Sequence, residues 1–209
     1  MVSFATLAEE LDASDMLGHL RNFPQDLAQA WKAAESWDFS TIENQQYSGV
    51  ICLGMGGSAS GGDFLSCLSD ADGCLPFFTH RGYDLPTWVS EKWLVLSTSY
   101  SGNTEETIDA TEAAIGLGCT VIGMSSGGKM KTLLEESNQI WIELPGGQPP
   151  RSAFGHIFGA QVALSWKLGI TSPPMIWIQL LSDSVRQSRL AILPILKMIM
   201  SSVKLLNQF

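Results

Sequence analysis

Short apolar runs alternate with amphipathic segments along most of the chain. Apolar residues recur at three- and four-residue intervals over residues 7–37, which predicts two amphipathic helices broken near Pro24. The apolar runs that predict strands span residues 49–54, 75–80, 92–99, 119–125 and 140–144. Segments of helical character separate most of them, as in parallel βαβ units. We therefore predict an α/β fold with three αβα layers, a five-stranded parallel sheet and a flavodoxin-like strand order.

The segments beyond the sheet divide the rest of the chain. Residues 151–168 predict a helix that ends at Gly169. The apolar run at residues 190–200 contains a proline and a lysine, and it is shorter than the roughly 20 residues that cross a bilayer. We predict no membrane anchor. The predicted parts are N-terminal helices packing on the domain (1–40), the α/β domain (41–170) and a helical C-terminal tail (171–209).

A glycine-rich loop, GMGGSASGG, directly follows the first predicted strand. Gly56 and Gly57 permit a sharp turn and a close backbone approach to a ligand, and Ser58 offers a hydroxyl at a helix start. The loop loosely matches the dinucleotide pattern GxGxx(G/A), but residues 79–81 (THR) supply no acidic ribose partner. Arg81 would at most favour a 2′-phosphate. An NAD(P)-dependent oxidoreductase is thus a remote alternative, and a turn needed only for packing is another.

A second loop, in the stretch STSYSGNTEET, is dense in hydroxyls. Ser99, Ser101 and Thr104 lie on a turn between the third predicted strand and a helix. Such a turn directs hydroxyls, backbone amides and a helix N-terminus towards one dianion, so it predicts a phosphate site. Ordinary helix capping is the alternative, but it uses only one or two hydroxyls. Glu105 and Glu106 fit the helix dipole better than they fit catalysis.

Composition excludes several classes of function. The formal net charge is −9, from 12 Lys+Arg and 21 Asp+Glu, and no basic run occurs, which argues against nucleic-acid binding. The acidic N-terminus lacks the features of a secretory signal, so we predict a cytoplasmic protein. Four cysteines without paired spacing predict buried free thiols, and scattered His19, His80 and His156 predict no metal site.

Four motifs occur in a specific order: GMGGSASGGD, STSYSGNTEET, MSSGGKM and LPGGQPPRSAFG. Together they resemble the sugar isomerase (SIS) domain, and most of all the first half of the bifunctional phosphoglucose/phosphomannose isomerases. The segment DMLGHLRNFPQDLAQAW is also similar to the first helix of that family. The resemblance covers roughly residues 11–169.

The resemblance implies an activity and a set of site residues. The activity is aldose–ketose interconversion of a hexose 6-phosphate through an enediolate, without a cofactor. Phosphate binding is implied for Ser99, Ser101 and Thr104, and sugar contact for Gly56, Gly57 and Ser58. Arg151 matches the arginine that stabilises the cis-enediolate, which agrees with the electrostatics of a fixed guanidinium beside an oxyanion. A surface ion pair at a helix start is the alternative for Arg151.

The family supplies its general base, a glutamate, and its ring-opening histidine from a second, similar domain. Neither group can be assigned within these 209 residues, so a truncated form is one expectation. A catalytically silent module that binds a sugar phosphate therefore remains open beside the enzyme. The apolar tail predicts packing against a second copy of the chain, hence a homodimer.

Overall fold

The computed structural model describes residues 10–42, 45–72 and 75–171. The helices are α1 (Met16–Ala33), a 3-10 turn (Ala34–Ser36), α2 (Gly57–Asp72), α3 (Glu105–Leu117), α4 (Gly128–Glu136) and α5 (Phe154–Lys167). The strands are β1 (Gly49–Gly54), β2 (Phe77–His80), β3 (Trp93–Thr98), β4 (Thr120–Ser125) and β5 (Ile140–Glu143). The predicted tail, apart from residue 171, lies outside the described residues.

The strands form one parallel sheet in the order β2-β1-β3-β4-β5. This is the flavodoxin-like order, so the predicted fold class is confirmed. The predicted strands agree with the observed ones to within a residue or two at their ends. In the described part of the chain, no helix combines the length and the apolar character needed to cross a membrane.

Two apolar cores lie on opposite faces of the sheet. Every residue of β1 is buried, because helices cover both faces. Val50 belongs to a core that includes Ile157 of α5, whereas the next residue, Ile51, belongs to a core that includes Ala110 of α3 and Leu134 of α4. Alternate residues of a strand face opposite sides, so this division gives the three-layer αβα arrangement.

Helix α1 corrects the prediction for the N-terminal region. It runs continuously through Pro24, so the predicted break there is wrong. Packing on α5 overrides the local effect of proline: a Cβ atom built on Gly155 would lie 3.0 Å from the Phe23 carbonyl oxygen, and one on Gly159 would lie 2.9 Å from the Ala30 Cβ. Glycines at these positions let the two helices approach closely on both sides of Pro24.

Helix α1 begins at Met16, directly after a turn in which the Asp15 N–H donates to the Asp12 carbonyl. The Asp12 carboxylate accepts hydrogen bonds from the backbone N–H groups of Met16 and Leu17, both at 2.8 Å. These bonds lower the pKa of Asp12. Asp15 caps the helix by accepting from the Gly18 N–H at 3.2 Å. The two carboxylates satisfy donors that the first turn of a helix leaves free, and they fix the start of α1.

Helix α5 starts later than residue 151. The Pro149 carbonyl accepts hydrogen bonds from the N–H groups of Ser152 (2.9 Å) and Ala153 (3.2 Å), which forms a turn before the helix. Arg151 lies in this turn. The predicted end is confirmed, since Gly169 follows the helix with a φ of 67°.

Candidate functional site

The motif-bearing loops meet at the carboxyl edge of the sheet. The strand order reverses between β1 and β3, and Gly54 pairs with Thr98 where these two strands end. The glycine loop (residues 55–58) and the hydroxyl loop (residues 99–104) therefore leave the sheet side by side. Ligands of open parallel sheets bind at such a switch point.

The hydroxyl loop presents its predicted side chains at different depths. The Ser99 hydroxyl is buried, donates to Thr104 Oγ1 at 2.9 Å and accepts from the Thr104 N–H at 3.3 Å. Ser101 is exposed, and its hydroxyl accepts from the Asn103 N–H at 3.3 Å. Thr104 is the N-cap of α3, yet its side chain forms no capping hydrogen bond. Capping therefore does not account for the Thr104 hydroxyl.

Other hydroxyls of the same stretch face inward. The Ser97 hydroxyl lies 2.6 Å from Thr111 Oγ1 in the core, and Thr98 Oγ1 accepts a hydrogen bond from the Gln161 amide at 3.0 Å. Thr107 is also buried. Three of the six serine and threonine hydroxyls in this stretch thus face the core, whereas those of residues 99, 101 and 104 belong to the loop that follows β3.

The loop after β4 and the first turn of α4 form hydrogen bonds with the hydroxyl loop. The Gly102 carbonyl accepts from the Met130 N–H at 2.9 Å, and the Tyr100 carbonyl accepts from both the N–H and the hydroxyl of Ser126 at 2.8 Å. Gly102 has a φ of 70°, and a Cβ atom there would lie 1.8 Å from the Gly127 carbonyl oxygen. Glycine is therefore required at position 102 for two reasons: the positive φ and the close approach of the Gly127 carbonyl oxygen. This contact explains the SSGG motif structurally.

The glycine loop turns at Gly56, whose φ is 52°. Ser58 is buried, and its hydroxyl accepts from the Tyr100 N–H at 3.4 Å, so the glycine and hydroxyl loops are in direct contact. Gln161 of α5 lies beneath them and donates to the Ser58 carbonyl at 3.4 Å. A Cβ atom on Gly61 would lie 1.8 Å from Gln161 Oε1, which explains one of the later glycines of the motif.

Arg151 is exposed on the β5–α5 loop (residues 144–153). A Cβ atom built on Gly57 would lie 3.5 Å from the Pro150 carbonyl oxygen, so the residue before Arg151 borders the glycine loop. The Arg151 guanidinium forms no ion pair with any other described residue. The alternative of a surface ion pair is thus unsupported among those residues.

A buried polar cluster anchors the β5–α5 loop. The Gln148 side-chain amide donates to the Asp26 carboxylate of α1 at 3.2 Å and lies 3.4 Å from His156 Nε2 of α5. His156 Nε2 also lies 3.4 Å from the Asp26 carboxylate. Burial lowers the pKa of His156, while the Asp26 carboxylate partly opposes that effect. The cluster therefore holds the His156 ring inside the protein.

Tyr100 connects the hydroxyl loop to this same segment. Its hydroxyl donates to the Pro145 carbonyl at 2.8 Å and accepts from the Gln148 backbone N–H at 3.2 Å. Sequence patterns missed Tyr100, Gln148 and Gln161, because their partners lie far away in the chain. The nearest available signal was their position inside or beside the matched motifs.

Arg81, which would at most have favoured a 2′-phosphate under the oxidoreductase alternative, has a partner within the domain. Arg81 forms an ion pair with Asp63 of α2, so its guanidinium is already engaged.

The described cysteines are free: Cys52 and Cys119 are buried as predicted, whereas Cys67 is exposed and contradicts that prediction. Burial raises the pKa of Cys52 to about 12, which argues against a nucleophilic role. Cys74 lies outside the described residues.

Two cavities lie apart from the predicted site. One of about 290 Å³ is lined by α1, by Trp37 and by the loop after β5, including Pro145. The other, of about 120 Å³, is lined by residues that include Trp31 and Trp166. Neither is lined by Ser99, Ser101, Thr104 or Arg151. The predicted residues therefore border the open edge of the sheet, outside both cavities.

Several proteins of known function are similar to this chain in sequence. No family model matches the chain. The bifunctional phosphoglucose/phosphomannose isomerase of Caldicellulosiruptor bescii is 35% identical over 159 residues, which cover 76% of this chain and 46% of the relative. The D-glucosamine-6-phosphate 4-epimerase of Sulfolobus acidocaldarius is 36% identical over 52% of this chain and 34% of its own length. The chain thus spans less than half the length of these curated relatives.

Solved structures show the same fold. Tagatose-6-phosphate ketose/aldose isomerase from Escherichia coli superposes with a TM-score of 0.61 at 18% identity, covering 81% of this chain and 53% of the other. An Escherichia coli CFT073 protein in complex with A5P superposes with a TM-score of 0.54 at 18% identity, covering 78% and 95% respectively. Fold and sequence relatives agree with the ordered motifs. The chain is similar in sequence to the bifunctional phosphoglucose/phosphomannose isomerases, and it shares the fold of tagatose-6-phosphate ketose/aldose isomerase.

Proposed function

We propose that the chain binds a hexose 6-phosphate and takes part in its aldose–ketose interconversion, in the manner of a phosphoglucose/phosphomannose isomerase. The observation that carries this proposal is the meeting of three loops at the switch point. The hydroxyl loop contacts the glycine loop through Ser58 and Tyr100, and the glycine loop borders Pro150, next to Arg151. This arrangement offers a phosphate cradle and a cation along one edge of the sheet.

The phosphate group would bind at the hydroxyl loop. Ser99, Ser101 and Thr104 provide hydroxyls there, and the N-terminus of α3 provides backbone N–H groups and a favourable dipole. Hydrogen bonds to a charged acceptor are stronger than those between neutral groups. The overall charge of −9 does not oppose this site, because a single dianion responds mainly to the groups within a few ångströms.

The sugar would extend from the phosphate along the glycine loop towards Arg151. Gly56 and Gly57 carry no side chains to block its approach, and Ser58 lies at the start of α2. Aldose–ketose conversion moves a proton between C1 and C2 and places negative charge on their oxygens. The Arg151 guanidinium would stabilise that charge, and proton transfer through an enediolate requires no cofactor.

The described residues leave the general base and the ring-opening group unassigned. His156 is committed to the buried cluster, and His80 Nε2 lies 3.3 Å from the Tyr83 carbonyl oxygen. Glu105 and Glu106 occupy the first turn of α3 and complement its dipole. The curated relatives extend well beyond the matched region, so a second domain or a second copy of the chain is the proposed source of these groups.

Solvent exchange tests the enzymatic proposal directly. Fructose 6-phosphate incubated with the chain in deuterated water should gain deuterium at C1 and yield aldose phosphate labelled at C2, because an enediolate exchanges its proton with solvent. NMR of the carbon-bound protons measures both events. Arg151→Ala should reduce the exchange at least about a hundredfold, which is typical for loss of an oxyanion-stabilising group. Label-free product from the wild-type chain would contradict the enediolate.

A catalytically silent sugar-phosphate-binding module is the second candidate. The A5P-bound neighbour supports it, because this single domain covers 95% of that chain. Thermal-shift titration with hexose 6-phosphates, glucosamine 6-phosphate, free sugars and inorganic phosphate tests binding, since a ligand of the native state raises its stability. Binding without deuterium exchange would support this candidate over the enzyme.

We also infer a homodimer in the cytoplasm. The sequence of the tail supports the dimer, and three free cysteines among the described residues support a reducing compartment. Light scattering of the purified chain measures its oligomeric state. A monomeric mass at micromolar concentration would contradict the dimer.

A further inference from the structure

Tyr100 has no role in the proposed function, yet it contacts the three other loops at the site. Its backbone N–H donates to the Ser58 hydroxyl, and its carbonyl accepts from Ser126. Its side-chain hydroxyl donates to the Pro145 carbonyl and accepts from the Gln148 N–H. One residue thus contacts the glycine loop, the β4–α4 loop and the β5–α5 loop.

The ring of Tyr100 fixes the position of that hydroxyl. It is 5% exposed and belongs to the core that includes Leu144, Ala153 and Ile157. Burial raises the pKa of Tyr100, so the hydroxyl keeps its proton and can donate while it accepts. The two hydrogen bonds of the Tyr100 hydroxyl therefore have defined directions, and the buried ring restricts the movement of this hydroxyl.

The segment between Gln148 and Arg151 has little freedom as well. Its start is held by two bonds, from the Gln148 backbone N–H to Tyr100 and from the Gln148 side chain to Asp26. Its end is held by the Pro149 carbonyl, which accepts from the Ser152 N–H and, at 2.8 Å, from the Ser152 hydroxyl. A displacement of Tyr100 is thereby transmitted to the backbone that carries Arg151.

We propose that Tyr100 is a positioning residue that couples phosphate binding on the hydroxyl loop to the placement of the Arg151 guanidinium. This inference rests on the proposed function, because it assigns the phosphate to that loop and the oxyanion to Arg151. Phosphate bound by Ser99 and Ser101 holds the loop in one arrangement. The Tyr100 hydroxyl then holds the β5–α5 loop in the matching arrangement.

Two probes separate these contributions. Inorganic phosphate requires the hydroxyl loop alone, whereas 5-phosphoarabinonate adds a carboxylate that resembles the charged enediolate and requires Arg151. Tyr100→Phe should leave the calorimetric affinity for phosphate within about twofold, and weaken 5-phosphoarabinonate binding about five- to tenfold, the usual effect of one lost hydrogen bond. Tyr47→Phe is the matched control, because its hydroxyl contacts Gln45 away from these loops.

A double-mutant cycle adds a readout that a general loss of stability would not produce. The combined Tyr100→Phe and Arg151→Ala variant should bind 5-phosphoarabinonate no more weakly than Arg151→Ala alone, since Tyr100 acts through that guanidinium. Gln148→Ala, which leaves Tyr100 intact and removes the bond to Asp26, should weaken the sugar acid selectively and by a smaller factor. It keeps the test valid if Tyr100→Phe fails to fold.

The contradicting outcomes are distinct. Wild-type affinity of Tyr100→Phe for the sugar acid, together with a loss in Arg151→Ala, would overturn the coupling and leave the proposed function standing. Equal losses for both probes in Tyr100→Phe would also overturn it, because they would indicate only a support of the hydroxyl loop. A wild-type chain that binds neither probe, or an Arg151→Ala variant without effect, would overturn the proposed function and this inference together.

Discussion

Ser99 and Thr104 face each other across the hydroxyl loop, with 2.9 Å between their hydroxyl oxygens. The Thr104 N–H also donates to the Ser99 hydroxyl, so this pair closes the loop at the N-terminus of α3. Ser101 lies between them in sequence but is exposed and takes no part in the closure. The loop therefore contains one hydroxyl pair that shapes it and one hydroxyl that is open to solvent.

Alanine substitution should separate these two roles. Ser99→Ala should lower the free energy of unfolding by about 1 kcal/mol and weaken phosphate binding, because it removes both the closure and a ligand contact. Ser101→Ala should weaken phosphate binding at least about fivefold and change stability by less than about 0.5 kcal/mol. Urea unfolding and calorimetry measure the two quantities. A Ser101→Ala variant with wild-type phosphate affinity would contradict the assignment.

Gly102→Ala should abolish phosphate binding. Its positive φ and the 1.8 Å approach of the added Cβ atom to the Gly127 carbonyl oxygen force the two loops apart. Gly169→Ala is the matched control, since its φ of 67° carries a similar backbone cost while no atom lies within 4 Å of the added Cβ. That control should lose about 1 kcal/mol of stability and bind phosphate normally. Equal binding by both variants would refute the role of the loop contact.

Gly61→Ala should destabilise the fold by about 1–3 kcal/mol, because the Gln161 side chain must move from beneath the glycine loop. Gly116→Ala, also in a helix, meets no atom within 4 Å and should stabilise the protein by about 0.5–1 kcal/mol. Chemical denaturation compares the pair. A neutral Gly61→Ala would show that Gln161 adapts without cost.

The free energy of unfolding should fall as the pH decreases through the range below 7. Burial holds the pKa of His156 below its ordinary value of 6.5 in the folded state, so the unfolded chain binds the proton more readily. This contribution is complete above 6.5, declines as the pH falls towards the folded-state pKa, and then levels off. Below the folded-state pKa both states carry the proton.

Comparison with His156→Gln isolates the contribution of this residue from that of the other two histidines of the chain, His19 and His80. Urea unfolding between about pH 7.5 and 5 should show a shallower pH dependence for the variant, whatever its absolute stability. Parallel curves for the two proteins would contradict a depressed pKa at His156.

The sequence predicted the sheet well because strand identity is a local property. β1 is a continuous apolar run bounded by glycine, and its observed limits are the predicted ones. The positions of the loops that follow were also predictable, since each loop begins where an apolar strand ends. The orientation of Ser97 and Thr98 was not, because both hydroxyls are held by partners on distant helices, Thr111 and Gln161.

Predictions failed where contacts distant in sequence override a local rule. Proline normally interrupts a helix. Helix α1 nevertheless continues through Pro24, because the glycines of α5 allow the two helices to pack closely. Asp26 and Gln148 are 122 positions apart and showed no shared pattern. The hydrogen bonds around Tyr100 were likewise invisible, because periodicity and spacing describe single elements and these contacts join four loops.

The bond between Asp26 and Gln148 bears on where this protein can be divided. A fragment starting at residue 41 would keep every strand and every motif loop, but it would lack α1 and with it the carboxylate that Gln148 and His156 contact. Gly155 and Gly159 of α5, which pack against α1, would then be exposed to water. Helix α1 therefore supports the loop that carries Arg151, and we expect a domain excised at residue 41 to keep its sheet while this loop shifts.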